Sequence, residues 1–328
     1  MKDKSYAFQT IGVNDSNEFY CLKSKQEVNS DIRLYSRFKF GDVESIEYLS
    51  SKLADVFIEQ LQAGEELRSL FEKSKREGEY IYLQSPGIRN VASASYYLMT
   101  SVAKKVNVWL ACNKLPTMIK KPVVRLSSGI ANYAELSEHK RKNRIKSTVS
   151  LLPVSDYSAY PINVIFIDDV EITGCTKDRA QDESLRGGAL SFHSLFIYRV
   201  DSALAKLDAS VENTMNQFDV RGGLDEIVSE IVSNRDYQPV QRMLRLLLHP
   251  RNRGGWSEFA RTNISEQSLL RIYVAALSND YHLITQVGES KGLYAPSLAI
   301  LGDLLEVKGL ISSSHVYSSK SPTFKNHH

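Results

Sequence analysis

Two hydrophobic periods alternate through the middle of the chain. Tyr80 to Leu83 is a short apolar run of strand type, and Ser85-Pro86-Gly87 turns the chain after it. Val91, Ala94, Leu98, Val102 and Ala103 share one helical face and predict a helix over 91–104. Val106 to Leu110 predicts a second strand, and Ile162 to Ile167 is the continuous apolar run of a buried one. A helix is expected from near Thr173 to Gly187-Gly188, followed by a strand over Leu190 to Val200. Upstream, Tyr6 to Val13 and Glu18 to Leu22 are short β-like runs. Val43, Ile46, Leu49, Leu53, Val56 and Leu61 then recur at helical spacing up to a stop at Gly64, and a second helix covers Glu65 to Lys75. Strands that alternate with helices argue for a parallel sheet covered on both faces.

From Leu224 the period is helical throughout. Leu224 to Ser233, Pro239 to Leu248, Ile264 to Leu277 and Ala295 to Leu305 read as helices. Asn263 with Glu266 resembles a capping box, and His249-Pro250 marks a stop. The expected fold class is therefore α/β. Residues 1–64 form an N-terminal, hood-like extension of strands plus a helix, 65–205 a parallel-sheet core, and 206–328 an α-helical C-terminal domain.

Composition narrows the function. The chain has 328 residues and a formal net charge of only +3, so no global field points to nucleic acid or a membrane surface. Cys21, Cys112 and Cys175 form no CxxC pair, which fits a reducing compartment. No apolar run reaches the roughly 18 residues of a membrane span. The first twenty residues, with Asp3, Asp15 and Glu18, do not read as a signal peptide. The expectation is a cytoplasmic protein without a membrane or nucleic-acid partner. Trp256, near Arg251 and Arg253, reads as a hydrophobic anchor beside solvated arginines, and His193 as a structural histidine within a strand.

The chemistry lies in Val164-Ile165-Phe166-Ile167-Asp168-Asp169-Val170-Glu171-Ile172-Thr173-Gly174-Cys175-Thr176. A buried strand ends in two adjacent carboxylates, at the end where open α/β sheets bind ligands. A turn at Gly174, flanked by Thr173 and Thr176, then opens a helix, and backbone N–H groups at such a turn cradle an anion. One loop thus offers acceptors for sugar hydroxyls and a seat for a phosphate, the pairing that a 5-phosphorylated ribose needs. A nucleotide triphosphatase would require a G-x-x-x-x-G-K-[ST] loop, and the sequence has none.

The string resembles the signature with which type I phosphoribosyltransferases bind 5-phosphoribosyl-1-pyrophosphate (PRPP). The resemblance implies that Asp168 and Asp169 bind the ribose 2′- and 3′-hydroxyls, and that Ile172, Thr173, Gly174, Cys175 and Thr176 surround the 5-phosphate. It implies a pyrophosphate loop at Ser85, Pro86, Gly87, Ile88 and Arg89, where Ser85-Pro86 is able to adopt the cis form. It further implies a lid within Asn113 to Asp156, whose Arg141 and Arg144 would neutralise the leaving pyrophosphate. Asp168, Asp169 and Glu171, with Arg141 and Arg144, are the catalytic candidates. Mg²⁺ is the implied cofactor, held mainly through PRPP and indirectly by Asp168 and Asp169. The closer resemblance is to the competence-protein-like phosphoribosyltransferases found with tellurium-resistance and stress-response genes. It rests on Tyr35-Ser36-Arg37-Phe38-Lys39-Phe40-Gly41-Asp42, on Tyr133 with Leu136-Ser137, and on Asp168 to Gly174. It implies PRPP and a nucleobase or nucleotide-like metabolite as reactants, with a homodimer as one arrangement. The alternative is a non-catalytic PRPP- or nucleotide-sensing regulator of the same fold. Purine salvage enzymes carry an aspartate immediately before Thr-Gly. Here that position is Ile172, and Glu171 stands one residue early.

Overall fold

The computed structural model describes residues 5–14, 18–88, 90–125, 150–151, 159–208, 210–283 and 293–312. Strands β1 (Ser5–Val13) and β2 (Phe19–Cys21) precede helices α1 (Asn29–Lys39), α2 (Val43–Ala63) and α3 (Glu65–Glu77). Then come β3 (Tyr80–Gln84), α4 (Ala94–Cys112), β4 (Ile119–Lys120), β5 (Val124–Arg125) and β6 (Ser150–Leu151). The centre of the sheet follows as β7 (Ile162–Glu171), α5 (Cys175–Gly187) and β8 (Ser191–Val200). The remaining helices are α6 (Ser202–Leu207), α7 (Val211–Asn216), α8 (Glu226–Ser233), α9 (Gln241–Leu247), α10 (Arg253–Asn263), α11 (Glu266–Ser278) and α12 (Ala295–Val307).

The main sheet has six strands in the order β2-β1-β8-β7-β3-β4. Only β1–β2 is antiparallel; the other four pairs are parallel. Strands covered on both faces must be apolar on both. Ile162, Val164, Ile165, Phe166 and Ile167 of β7 and Leu195, Phe196 and Ile197 of β8 are accordingly buried. One face gathers Tyr82, Val164, Phe166, Phe192 and Phe196 against Ala180 of α5. No helix among the described residues is long and apolar enough to cross a membrane.

Several local readings change. The strand expected over Val106 to Leu110 is the last part of α4. Val106, Val108 and Leu110 imitate a period of two, but Val108 is exposed while Val102, Val106 and Leu110 are buried, which is helical spacing. Helix α1 was not expected, although Ile32, Tyr35 and Phe38 are fully buried at i, i+3 spacing. Ser265, whose hydroxyl accepts the N–H of Ser268, caps α11. Asn263 instead ends α10, a helix whose Gly254-Gly255 start reads in sequence as a breaker.

The chain divides into two compact units, each discontinuous in sequence. The first comprises Met1–Tyr35, Glu44–Arg89 and Ala94–Asn216 and holds the main sheet; the second comprises Ser36–Val43, Asn90–Ser93 and Gln217–His328. The second unit is helical, with a core that includes Trp256, Leu269, Tyr273, Leu298 and Leu301. Trp256 is fully buried, and its Nε1–H donates to the Ser297 carbonyl at 3.0 Å, so it is an anchor within that core.

A buried carboxylate sits just before β3. Glu79 accepts from Asn163 Nδ2 at 2.8 Å and pairs with Lys73 Nζ at 2.9 Å. Burial opposes its charge. The hydrogen bonds from Lys73 and Asn163 and the Lys73 charge outweigh that and hold the carboxyl below its usual range. A depressed folded-state value gives stability that is present above the unfolded value, about 4.3, and is lost as pH falls through the folded one. Glu79→Gln is therefore expected to flatten the acid limb of stability below about pH 4.5. Urea unfolding of both proteins across that range checks it; identical acid limbs would contradict the assignment.

Candidate active site

The order in which strands are added reverses between β3 and β7. From β3 the chain passes through α4 to β4 on one side, and from β7 through α5 to β8 on the other. In an open α/β sheet such a switch point leaves a crevice at the carboxyl ends of the two strands. Gln84 pairs in register with Phe166, so Ser85 leaves β3 where β7 approaches its acids, one strand spacing of about 4.8 Å away.

Asp168 and Asp169 lie within β7, which continues to Glu171 instead of ending at Ile167. The continuation is held by β8 alone: Asp168 pairs with Phe196, Val170 with Tyr198 and Glu171 with Arg199. Pairing with β3 has already stopped at Phe166, so the acids border the crevice.

Both carboxylates are largely buried, at 8% and 4% exposure, and buried charge requires hydrogen-bond donors. Ser95, in the first turn of α4, donates to Asp168 Oδ1 at 2.9 Å and approaches Asp169 Oδ1 at 3.4 Å. The Tyr35 hydroxyl, from α1, donates to Asp169 Oδ2 at 2.9 Å. The Asp169 N–H donates back to Asp168 Oδ1 at 2.9 Å.

Glu171 is engaged elsewhere. Lys177 Nζ and Arg199 Nε each stand 2.7 Å from its carboxylate, which ties the first turn of α5 to β8. Ile172 is buried.

The helix α5 starts on Gly174, with φ 72° and no side chain capping it. Its carbonyl accepts the Asp178 N–H at 2.8 Å. The orphan N–H groups of a first turn and the positive end of the helix suit an anion. Thr173, Cys175 and Thr176 are half-buried around this turn, with the Thr173 hydroxyl 3.1 Å from Cys175 Sγ. A Cβ at Gly174 would meet the Asp178 and Glu171 carboxylates only at ordinary contact distances, so the cost of a side chain there is the left-handed backbone itself. Gly174→Ala is expected to cost about 1–2 kcal/mol and to lower the melting temperature by a few degrees; an unchanged melt would contradict the turn.

The loop after β3 is polar and partly buried. Ser85 is buried, and its hydroxyl has no partner among the described residues. Pro86, Gly87 and Ile88 are half-buried, and the Ile88 N–H donates to the Val123 carbonyl at 2.9 Å. The Ser85-Pro86 peptide is trans. Arg89, Arg141 and Arg144 lie outside the described residues, as does most of the expected lid.

The structure thus brings Asp168, Asp169, Thr173 to Thr176 and Ser85 to Ile88 to one end of the sheet, and it turns Glu171 towards two cations. It adds Tyr35, Ser95, Lys177 and Arg199, none of which sequence reasoning had assigned to the site.

A family model described as PRTase ComF-like matches residues 13–289. The chain belongs to the PRTase ComF-like family. The match takes in segments of both units, and the mostly parallel six-stranded sheet is that of a phosphoribosyltransferase-type fold. No curated protein sequence matches the chain.

Proposed function

We propose that this PRTase ComF-like protein is a phosphoribosyltransferase that binds PRPP at the β3–β7 switch point. One observation carries the reading: the acid pair, an uncapped helix start on Gly174 and the Ser85 loop converge at the carboxyl ends of two adjacent parallel strands. Asp168 and Asp169 accept the ribose hydroxyls. A carboxylate offers about four lone-pair sites, and Ser95 and Tyr35 donate to the pair. The first turn of α5, with Thr173 and Thr176, holds the 5-phosphate. Ser85, whose buried hydroxyl suits an anionic oxygen, faces the pyrophosphate together with Pro86, Gly87 and Ile88.

Mg²⁺ fits the hard oxygen donors of the aspartate pair. No three His, Cys, Asp or Glu side chains among the described residues could hold a metal together, so PRPP oxygens would complete its shell. The ion would neutralise charge that builds on pyrophosphate as it leaves C1′. The protein's own part is to hold the ribose by its diol and phosphate so that C1′ is open to a nucleobase or nucleotide-like acceptor. Arg141 and Arg144 would add positive charge at the leaving group.

A non-catalytic PRPP or nucleotide sensor is the second reading. It is favoured by the inward turn of Ile172 and by the pairing of Glu171 with Lys177 and Arg199, which leave the loop without an obvious general base. Pyrophosphate release with Mg²⁺, PRPP and a panel of bases separates the two. Acceptor-dependent release supports the enzyme; saturable PRPP binding without release supports the sensor.

A further inference from the structure

Two hydroxyls hold the acid pair, one from α1 and one from α4. Tyr35 is the last residue of the first unit's opening segment, and Ser36 begins the second unit. Asn90–Ser93 belongs to the second unit, and Ser95 follows two residues later in the first. We infer that Tyr35 and Ser95 are positioning residues for Asp168 and Asp169. The inference rests on the PRPP reading above.

Both segments are firmly held within the helical unit. The Ser36 hydroxyl accepts the N–H groups of Asp219 and Val220, each at 3.1 Å. Arg37 Nη1 pairs with Glu230 at 2.9 Å, and its Nε stands 3.6 Å from Asp42. In the other segment the Asn90 side chain donates to the Ser278 carbonyl, and Gln241 Nε2 donates to the Val91 carbonyl at 3.1 Å. Tyr35 and Ser36 are consecutive in α1. Ser95 is the second residue of α4, directly after the other clamped segment.

The chemistry gives these hydroxyls a task. Adjacent carboxylates in a buried site crowd each other, and each needs a donor to be fixed in orientation. Ser95 and Tyr35 supply donors from two separate helices. The Tyr35 ring packs edge-on against Tyr198 with centroids 5.4 Å apart, so removing its hydroxyl leaves the packing in place.

PRPP affinity by calorimetry in the presence of Mg²⁺, with a thermal melt of each protein, tests this. Tyr35→Phe and Ser95→Ala are each expected to weaken PRPP binding by roughly tenfold or more, because a carboxylate without its donor is no longer held in the orientation that meets the ribose diol. Their melting temperatures should fall by a few degrees at most, since each loses one buried hydrogen bond, and Ser95→Thr, which keeps the hydroxyl, should restore both stability and affinity. Unchanged affinity in folded Tyr35→Phe and Ser95→Ala overturns the positioning role alone. A wild-type protein that does not bind PRPP overturns this inference and the PRPP reading together.

Discussion

Replacing Asp168 and Asp169 together by asparagine is expected to abolish measurable PRPP binding while the protein still folds. An asparagine carbonyl can accept from Tyr35 and Ser95 as the carboxylates do, so the internal bonds at 2.9 Å have a substitute. What disappears is the negative charge at the crevice. A hydrogen bond to a charged group is worth about 1.5–3 kcal/mol, so losing two amounts to roughly 10²–10⁴-fold in affinity. Calorimetry with PRPP and Mg²⁺ and a thermal melt of the double variant check both halves. Unchanged affinity would remove the acids from the site, and an unfolded variant would make them structural.

The second large effect concerns the acceptor. Little or no phosphoribosyl transfer to hypoxanthine, guanine or xanthine is expected. The position before Thr173-Gly174 holds Ile172, which is buried and carries no proton to exchange. Glu171, one residue earlier, is bound by Lys177 and Arg199 at 2.7 Å each, so using it as a base would first require breaking two ion pairs. General acid–base assistance is worth about 10²–10⁴-fold in rate. Steady-state assays with these three bases decide the point: turnover near roughly one per second or faster, within the ordinary enzyme range, would overturn it.

How much of this was legible depended on how local each signal was. β7 stands out because a strand buried on both faces must be continuously apolar, and α5 because glycines flank it at both ends. The turn at Gly174 and the acids before it are contiguous, so their chemistry reads directly from thirteen residues. The end of β7 did not read, because pairing with β8 carries the strand past its apolar run. The end of α4 was misread because alternating valines and a leucine suit either period until burial separates them. Tyr35 and Ser95 were not legible as site residues. They lie 134 and 73 residues from their acids, and only the topology brings them there. Lys177 and Arg199 were hidden for a similar reason: one looks like an ordinary helix cation and the other like a strand-end arginine. The two compact units also escape a linear reading, because two short internal segments belong with the helices near the end of the chain.

A crystal structure of the protein with PRPP and Mg²⁺ tests the central claim most directly. The account predicts the ribose diol at Asp168 and Asp169, the 5-phosphate on the N–H groups that follow Gly174, and the pyrophosphate at the loop that begins with Ser85. PRPP bound elsewhere on the chain, or a β3–β7 crevice that stays empty at saturating ligand, would contradict it.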